Sequence, residues 1–127
     1  MDSPTHVFKI LLPEQFPIDP TKEFPTPLDE SSGFVHLSTA AQALRVANLF
    51  YSSSNKLILC LIPVANFKKG DLVWESPSHP TPSDEADKEI PNTELFPHLY
   101  GKLTSEMISS TVEIVKEEDG FHFAFEQ

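Results

Sequence analysis

Two short stretches decide the fold: residues 33–39, GFVHLST, and residues 94–101, ELFPHLYG. Each places a histidine two residues before a hydroxyl-bearing side chain, His36 before Ser38 and His98 before Tyr100. Because alternate residues of an extended chain share a face, we expect each histidine to lie beside its hydroxyl, with the intervening leucine on the other face. If the fold brings the two stretches together, these side chains form a site.

The segments around the two stretches predict short strands and one main helix. Thr39 and Gln42 fit a capping box, with Ser38 as an alternative cap, so a helix over 39–51 begins directly after the first stretch. Pro97 has no amide hydrogen, which places the second stretch at the edge or the start of a sheet strand. The predicted strands cover residues 7–12, 34–37, 56–62, 72–75, 109–116 and 121–125, the last two around an Asp119-Gly120 turn.

This order of elements does not alternate regularly between strands and helices. It predicts an α+β fold with a curved, mostly antiparallel sheet rather than βαβ units. We predict a single domain over residues 1–127. Two proline-rich segments interrupt it: a long loop at 13–32, with five prolines and a possible helical turn near 13–16, and a mobile insertion at 76–92, with four prolines.

The composition excludes several classes of function. The net charge of −10 and the scattered nine Lys and Arg residues argue against nucleic-acid binding, which needs cations on phosphates. The single cysteine, Cys60, excludes an internal disulfide and a multi-thiolate zinc site, and its apolar neighbours predict that it is buried. No glycine-rich phosphate loop is present. With no signal peptide or membrane-spanning run visible, we expect a cytoplasmic protein without membrane contact.

Polar groups beside the predicted helix start and strand end are candidates for binding. The free amides and the positive dipole end of the helix lie next to His36 and Ser38, which favours an anion there. The alternative is that Ser38 and Thr39 only cap the helix. Glu75 is the last residue of the strand at 72–75, and a carboxylate at the end of a strand is well placed for chemistry at a sheet edge. A solvated surface glutamate is at least as strongly expected.

The combination of residues 33–39, the strand that ends with Trp74-Glu75, and residues 94–101 resembles the family called domain of unknown function 952. The resemblance runs from the first predicted strand to the terminal hairpin. It implies a fold related to the ADP-ribosyltransferases, in which a split, curved sheet holds NAD in a central cleft. NAD is therefore the expected cofactor, and no metal is expected.

Residue chemistry suggests how such a cleft works. ADP-ribosyl transfer breaks the bond between nicotinamide and ribose through an oxocarbenium-like transition state, and it needs a ribose-binding group, an aromatic surface and a carboxylate. His36 or His98 would hold a ribose hydroxyl, Tyr100 would stack, and Glu75 or Glu94 would be the carboxylate. The predicted catalytic residues are His36, His98, Glu75 and Tyr100, and the predicted cofactor-binding residues are Ser38, Thr39, Phe34 and Glu94.

Three alternatives remain open at this point. The first is a catalytically silent module that binds a nucleotide or another metabolite. The second is a metal-dependent hydrolase that uses His36, His98 and Glu75, although neither histidine shows paired ligand spacing such as H-x-x-x-H. The third is a structural role in which backbone carbonyls satisfy both histidines. A small-molecule ligand or a protein acceptor is the expected partner, and the oligomeric state is left open.

Overall fold

Six strands and two helices, with three single-turn 3₁₀ helices, make up the part of the chain that the structure describes. This computed structural model describes residues 5–76 and 94–123. The strands are β1 His6–Leu11, β2 Val35–His36, β3 Lys56–Pro63, β4 Leu72–Glu75, β5 Phe96–Leu99 and β6 Ser110–Val115. The helices are α1 Pro27–Ser32 and α2 Ala40–Phe50, and the 3₁₀ turns are Pro13–Gln15, Val64–Asn66 and Ser105–Met107.

The strands form two antiparallel sheets of three strands each. The first sheet has the order β1-β3-β6 and the second has the order β2-β5-β4. The prediction of an α+β fold with antiparallel strands and one main helix is confirmed. Five predicted strands are confirmed with ends that agree to within one residue, and the predicted turn near residue 13 is confirmed as well.

One pair of backbone hydrogen bonds connects the two sheets. The Phe8 amide donates to the Ser38 carbonyl at 2.7 Å, and the Ser38 amide donates to the Phe8 carbonyl at 2.9 Å. Ser38 therefore continues β2 onto the edge of β1. The alternative that Ser38 caps α2 is wrong, because the N-cap is Thr39.

Helix α2 begins with the predicted capping box. The Thr39 hydroxyl accepts from the Gln42 amide at 3.2 Å, and the Gln42 side-chain oxygen accepts from the Thr39 amide at 3.0 Å. The two reciprocal bonds satisfy two of the amides that an α-helix leaves free at its start. The helix buries Ala43 and Ala47, which pack with β1 residues Phe8 and Ile10.

This cap gives a first testable prediction. Thr39→Ala is expected to lower the free energy of unfolding by about 1 kcal/mol, because the Gln42 amide loses its acceptor. Urea denaturation followed by circular dichroism measures the change. Thr39→Ser keeps the hydroxyl and is the matched control, expected to remain close to wild type. Equal losses in the two variants would contradict the assigned cap.

Strand β1 has a core on each of its faces. Val7 and Leu11 pack between the two sheets with Val35 and Leu99 of the second sheet, whereas Phe8 packs toward α2 on the other face. Lys9 alternates with these residues, so it shares the face of Val7 and Leu11 and points toward the second sheet. It is 4% exposed.

The predicted loop at 13–32 contains a helix that the sequence analysis missed. Thr26 caps α1 by accepting from the Asp29 amide at 3.2 Å, and Pro27 occupies the first turn, where its missing amide hydrogen costs nothing. Gly33 ends the helix at φ +84°, the left-handed conformation that favours glycine, and its amide donates to the Asp29 carbonyl. The prediction of a loop without an element is therefore wrong for residues 27–32.

Two other predictions near strand ends need qualification. Pro97 is the second residue of β5, which agrees with the predicted strand start. The alternative of an edge strand is wrong, because β5 is the central strand of its sheet. The Pro97 carbonyl accepts a hydrogen bond from the Leu37 amide at 3.1 Å, just after the end of β2. The turn between Glu117 and Gly120 forms, yet residues 121–123 are not a strand. The rest of that predicted strand and nearly all of the predicted insertion at 76–92 lie outside the described residues.

Two further findings concern the length of the helices and the single cysteine. None of the helices in the described ranges is long and apolar enough to cross a membrane. Cys60 is buried in β3, as predicted, and burial raises the pKa of its thiol to about 11 although the nearby Lys9 charge opposes this. A thiol with such a pKa is a poor nucleophile at neutral pH.

Candidate functional site

The register of the second sheet places the two histidines side by side. His36 of β2 is directly opposite His98 of β5, and their ring centroids are 5.7 Å apart. Side chains opposite each other in antiparallel strands share a face, and so do residues two positions along. Phe34 and Tyr100 therefore extend the same face on either side of the histidines. The two stretches that the sequence analysis singled out do come together.

Glu75 at the end of β4 completes a three-residue hydrogen-bonded group on this face. Its Oε1 atom accepts from His98 Nδ1 at 2.8 Å and from the Tyr100 hydroxyl at 2.7 Å. These two bonds, the one from Tyr100 above all, hold the pKa of the Glu75 carboxyl below its usual value. The same contact raises the pKa of the Tyr100 hydroxyl. Glu75 is thus an ionised carboxylate at neutral pH, and its side chain is 38% exposed.

His98 is neutral in this group. Its side chain is 3% exposed, and burial lowers its pKa although the hydrogen bond with Glu75 acts in the opposite direction. An ionised carboxylate only accepts hydrogen bonds, so Nδ1 of His98 carries the ring proton and Nε2 has a free lone pair. The arrangement fixes His98 as a hydrogen-bond acceptor.

His36 has its own carboxylate, Asp29 of α1. Asp29 Oδ1 accepts from His36 Nδ1 at 2.7 Å and from the His36 amide at 2.9 Å. Lys9 lies 2.7 Å from the other oxygen, Oδ2, and donates to the His36 carbonyl at 3.1 Å. Complete burial works against the charge of Asp29, but the hydrogen bonds of His36 and the charge of Lys9 together hold its pKa below the usual value. Burial lowers the pKa of Lys9, against the attraction of Asp29.

Phe34 connects the two histidines and the tyrosine. Its ring centroid lies 4.2 Å from that of His98 in a stacked arrangement, 4.6 Å from that of His36 and 5.3 Å from that of Tyr100. Five predicted site residues, namely Phe34, His36, Glu75, His98 and Tyr100, are therefore in one contiguous group. Offset and tilted ring contacts of this kind stabilise a fixed arrangement.

The other three predicted site residues contact different parts of the molecule. Glu94 forms an ion pair with Arg45 and accepts from the Gln42 side-chain amide at 2.9 Å, so it connects the start of β5 to α2. Thr39 caps α2, and the backbone of Ser38 connects the sheets. A role of these residues toward a cofactor stays a prediction.

Comparison with known proteins gives the family. The profile described as "Protein of unknown function (DUF952)" matches residues 16–111. The chain belongs to this DUF952 family. The crystal structure of CC0527 from Caulobacter crescentus is similar to it, with 23% sequence identity, a TM-score of 0.71 and 92% of each chain covered. The solution NMR structure of CC0527 has a TM-score of 0.68 at the same identity, covering 92% of this chain and 90% of the other. No curated protein matches the sequence.

An open cleft of about 190 Å³ lies beside the group in this DUF952 protein. Tyr100, which is 46% exposed, is one of its lining residues. The other lining residues are Glu23, Phe24, Gly33, Gly101 and Lys102. Tyr100 thus lines the cleft and also donates a hydrogen bond from its hydroxyl to Glu75.

Two functional candidates of the DUF952 chain were missed by sequence reasoning, Lys9 and Asp29. Lys9 is a lone charge among the apolar residues of β1, and that pattern is a usable signal, because a buried lysine needs a buried partner. Asp29 carries no such signal, since it lies in the segment that is predicted to be a loop. The capping pattern from Thr26 to Gly33 indicated the helix but not the partner of its carboxylate.

The metal-hydrolase and carbonyl-satisfied alternatives gain no support. Within residues 5–76 and 94–123, no group of three or more His, Cys, Asp or Glu side chains is placed to hold a metal ion. Each histidine bonds a carboxylate through Nδ1, and not a backbone carbonyl as the structural alternative expected. In both pairs the carboxylate fixes the orientation of the imidazole.

Proposed function

We propose that this DUF952 protein binds NAD on the face formed by β2, β5 and β4 and cleaves it in an ADP-ribosyltransferase-like reaction. The observation that carries the proposal is the shared oxygen of Glu75, bonded to both His98 and Tyr100. The two antiparallel sheets are consistent with the split sheet that such a fold requires.

The reaction needs a negative charge where positive charge develops. When the bond between the ribose carbon and nicotinamide breaks, nicotinamide leaves with the bonding electrons and the ribose becomes oxocarbenium-like. An acceptor, water or a nucleophile on a protein, then attacks the ribose carbon and loses a proton. Glu75 is ionised and preorganised by two donors, so its second oxygen can bind a ribose hydroxyl and stabilise the cation.

The neighbouring residues fit the other requirements. Tyr100 is 46% exposed and lines the cleft, so its aromatic ring is a candidate stacking surface for nicotinamide. His98 presents a neutral acceptor nitrogen, which suits a sugar hydroxyl. The net charge of −10 favours a small-molecule or protein acceptor over a nucleic acid.

A second candidate function is nucleotide binding without catalysis. The burial of His98 and the 19% exposure of the His36 side chain favour it, because groups this enclosed have little room to exchange protons with a substrate. Under this alternative the same face would hold a nucleotide or a related metabolite and release it unchanged.

Two measurements test the proposal. Nicotinamide release from NAD, followed by chromatography, tests cleavage, and a thermal-shift titration with ADP-ribose tests binding. We expect wild type to release nicotinamide and Glu75→Gln to do so about 10²–10³-fold more slowly, because the amide keeps the shape but lacks the charge. ADP-ribose at a hundred times its Kd would stabilise the protein by about 2.7 kcal/mol.

Glu106→Gln is the matched control, since Glu106 is an exposed residue of the 3₁₀ turn Ser105–Met107. It is expected to leave both measurements at wild-type values. Binding of ADP-ribose without nicotinamide release would favour the silent module. If neither NAD nor ADP-ribose changes the melting temperature and no nicotinamide appears, the proposal is wrong.

A further inference from the structure

We propose that Asp29, supported by Lys9, is a positioning residue that holds His36 with its Nε2 atom as an open acceptor for a sugar hydroxyl of the bound nucleotide. This inference rests on the proposed function and names a contact within the same site. It assigns a task to a buried charge pair that the reaction itself does not use.

The contacts of Asp29 determine which ring nitrogen of His36 carries the proton. Two donors of His36, the backbone amide and Nδ1, converge on one oxygen of Asp29, and Lys9 lies against the other. Since the carboxylate is ionised and only accepts, Nδ1 of His36 donates to it, and in the uncharged form of the ring Nε2 carries no hydrogen. Nε2 is then a bare acceptor.

The Nε2 atom of His36 is buried and has no hydrogen-bond partner among the described residues. Leaving a buried polar atom without a partner is unfavourable, so such atoms call for an explanation. A ligand hydroxyl that donates to Nε2 would supply the missing bond. The atom belongs to a ring on the face shared by His98 and Tyr100, where the proposed function places the ribose.

Phe34 is an aromatic neighbour of the His36 ring on this face. Its half-buried ring contacts those of both histidines, and it directly follows Gly33, whose left-handed conformation ends α1. Helix α1, which carries Asp29, thus leads within two residues into a ring that contacts His36.

Lys9 offsets the cost of burying the Asp29 carboxylate and holds the backbone carbonyl of His36. It balances the charge of Asp29 and holds the His36 carbonyl from the direction of β1. A single buried charge without such a partner would be strongly destabilising. His36 is therefore constrained at its ring, amide and carbonyl by two side chains from two different elements.

Long-range ¹⁵N–¹H NMR of the histidine rings in the ¹⁵N-labelled full chain tests this inference, with His36→Gln to assign the His36 signals. We expect the Nδ1–H tautomer for His36. His122 serves as an internal reference, because its Nε2 atom, not Nδ1, contacts Asp119 at 2.7 Å, so its neutral ring is expected to show the opposite tautomer.

Addition of ADP-ribose is expected to shift the Nε2 resonance of His36 as it gains a hydrogen bond. An Nε2–H tautomer in the free protein would overturn the inference whatever the ligand does. Bound ADP-ribose, shown by other shifted resonances, with an unmoved Nε2 would overturn it while the proposed function stands. If no resonance responds to ADP-ribose, the proposed function and this contact fail together.

Asp29→Asn gives a second readout, with Asp119→Asn, at the exposed Asp–His pair, as the matched control. We expect the affinity for ADP-ribose to fall about tenfold or more in Asp29→Asn, as for carboxylates that orient metal-bound histidines, and to stay unchanged in the control. Unchanged affinity in a folded Asp29→Asn would overturn the inference. If this variant does not fold, the tautomer and the Nε2 shift of wild type decide.

Discussion

Lys9→Met is expected to lower the free energy of unfolding by about 3–5 kcal/mol, the usual cost of removing one partner from a buried ion pair. Methionine fills a similar volume, so the loss comes from Asp29, which is 0% exposed and would keep only the hydrogen bonds from His36. With total stabilities of small domains near 5–15 kcal/mol, this is a large fraction. Urea denaturation measures it.

Lys56→Met is the matched control for Lys9→Met. Lys56 also lies in the first sheet, but its ion pair with Glu113 spans 3.6 Å between half-exposed side chains. Such surface pairs contribute at most about 1 kcal/mol. If Lys9→Met proved as mild as Lys56→Met, the buried pair would not be important for stability.

Phe8→Ala is expected to cost a similar amount, about 3–5 kcal/mol, for a different reason. The Phe8 ring is 1% exposed on the α2 side of β1 and makes an edge-to-face contact with Phe123, with centroids 5.6 Å apart. Truncation would leave a cavity between the sheet and Ala43 and Ala47 of α2. Urea denaturation measures this loss as well.

Two comparisons make the Phe8 prediction specific. Phe8→Leu keeps most of the volume and is expected to cost less than about 1.5 kcal/mol. Because Phe8 faces away from the second sheet, Phe8→Ala is expected to leave the tautomer of His36 unchanged in the folded protein. A changed tautomer in Phe8→Ala would contradict the assignment of the two faces of β1.

Much of the second sheet and the start of α2 was predictable, because the patterns that determine them involve residues close together in the sequence. The alternation around His36 and His98 predicts which side chains share a face, and the capping box at Thr39 predicts where α2 begins. The pairing of His36 with His98 was not predictable from periodicity alone, since register depends on contacts between segments far apart in sequence. From the sequence, their proximity was only a condition for a site, and the structure shows that the condition is met.

The carboxylate partners of the two histidines show more clearly how much of the site the sequence alone could predict. Glu75 follows a recognisable strand and was predicted as a carboxylate of the site, whereas Asp29 lies in a short helix among prolines and was missed. Glu94, the first residue of the second stretch, was predicted as an alternative carboxylate, but it pairs with Arg45. Which carboxylate reaches which ring depends on the packing of elements, and neither residue type nor spacing determines it.

The register of β4 and β5 has a consequence for how this protein tolerates changes in length. Glu75 pairs with Phe96, so the chain leaves the sheet and re-enters it at neighbouring positions. The entropy of closing such a loop grows only logarithmically, by about 0.6 kcal/mol for each doubling of its length. We therefore expect the sheet to tolerate changes in the number of residues between Glu75 and Phe96, while His98 and Tyr100 hold the carboxylate in place.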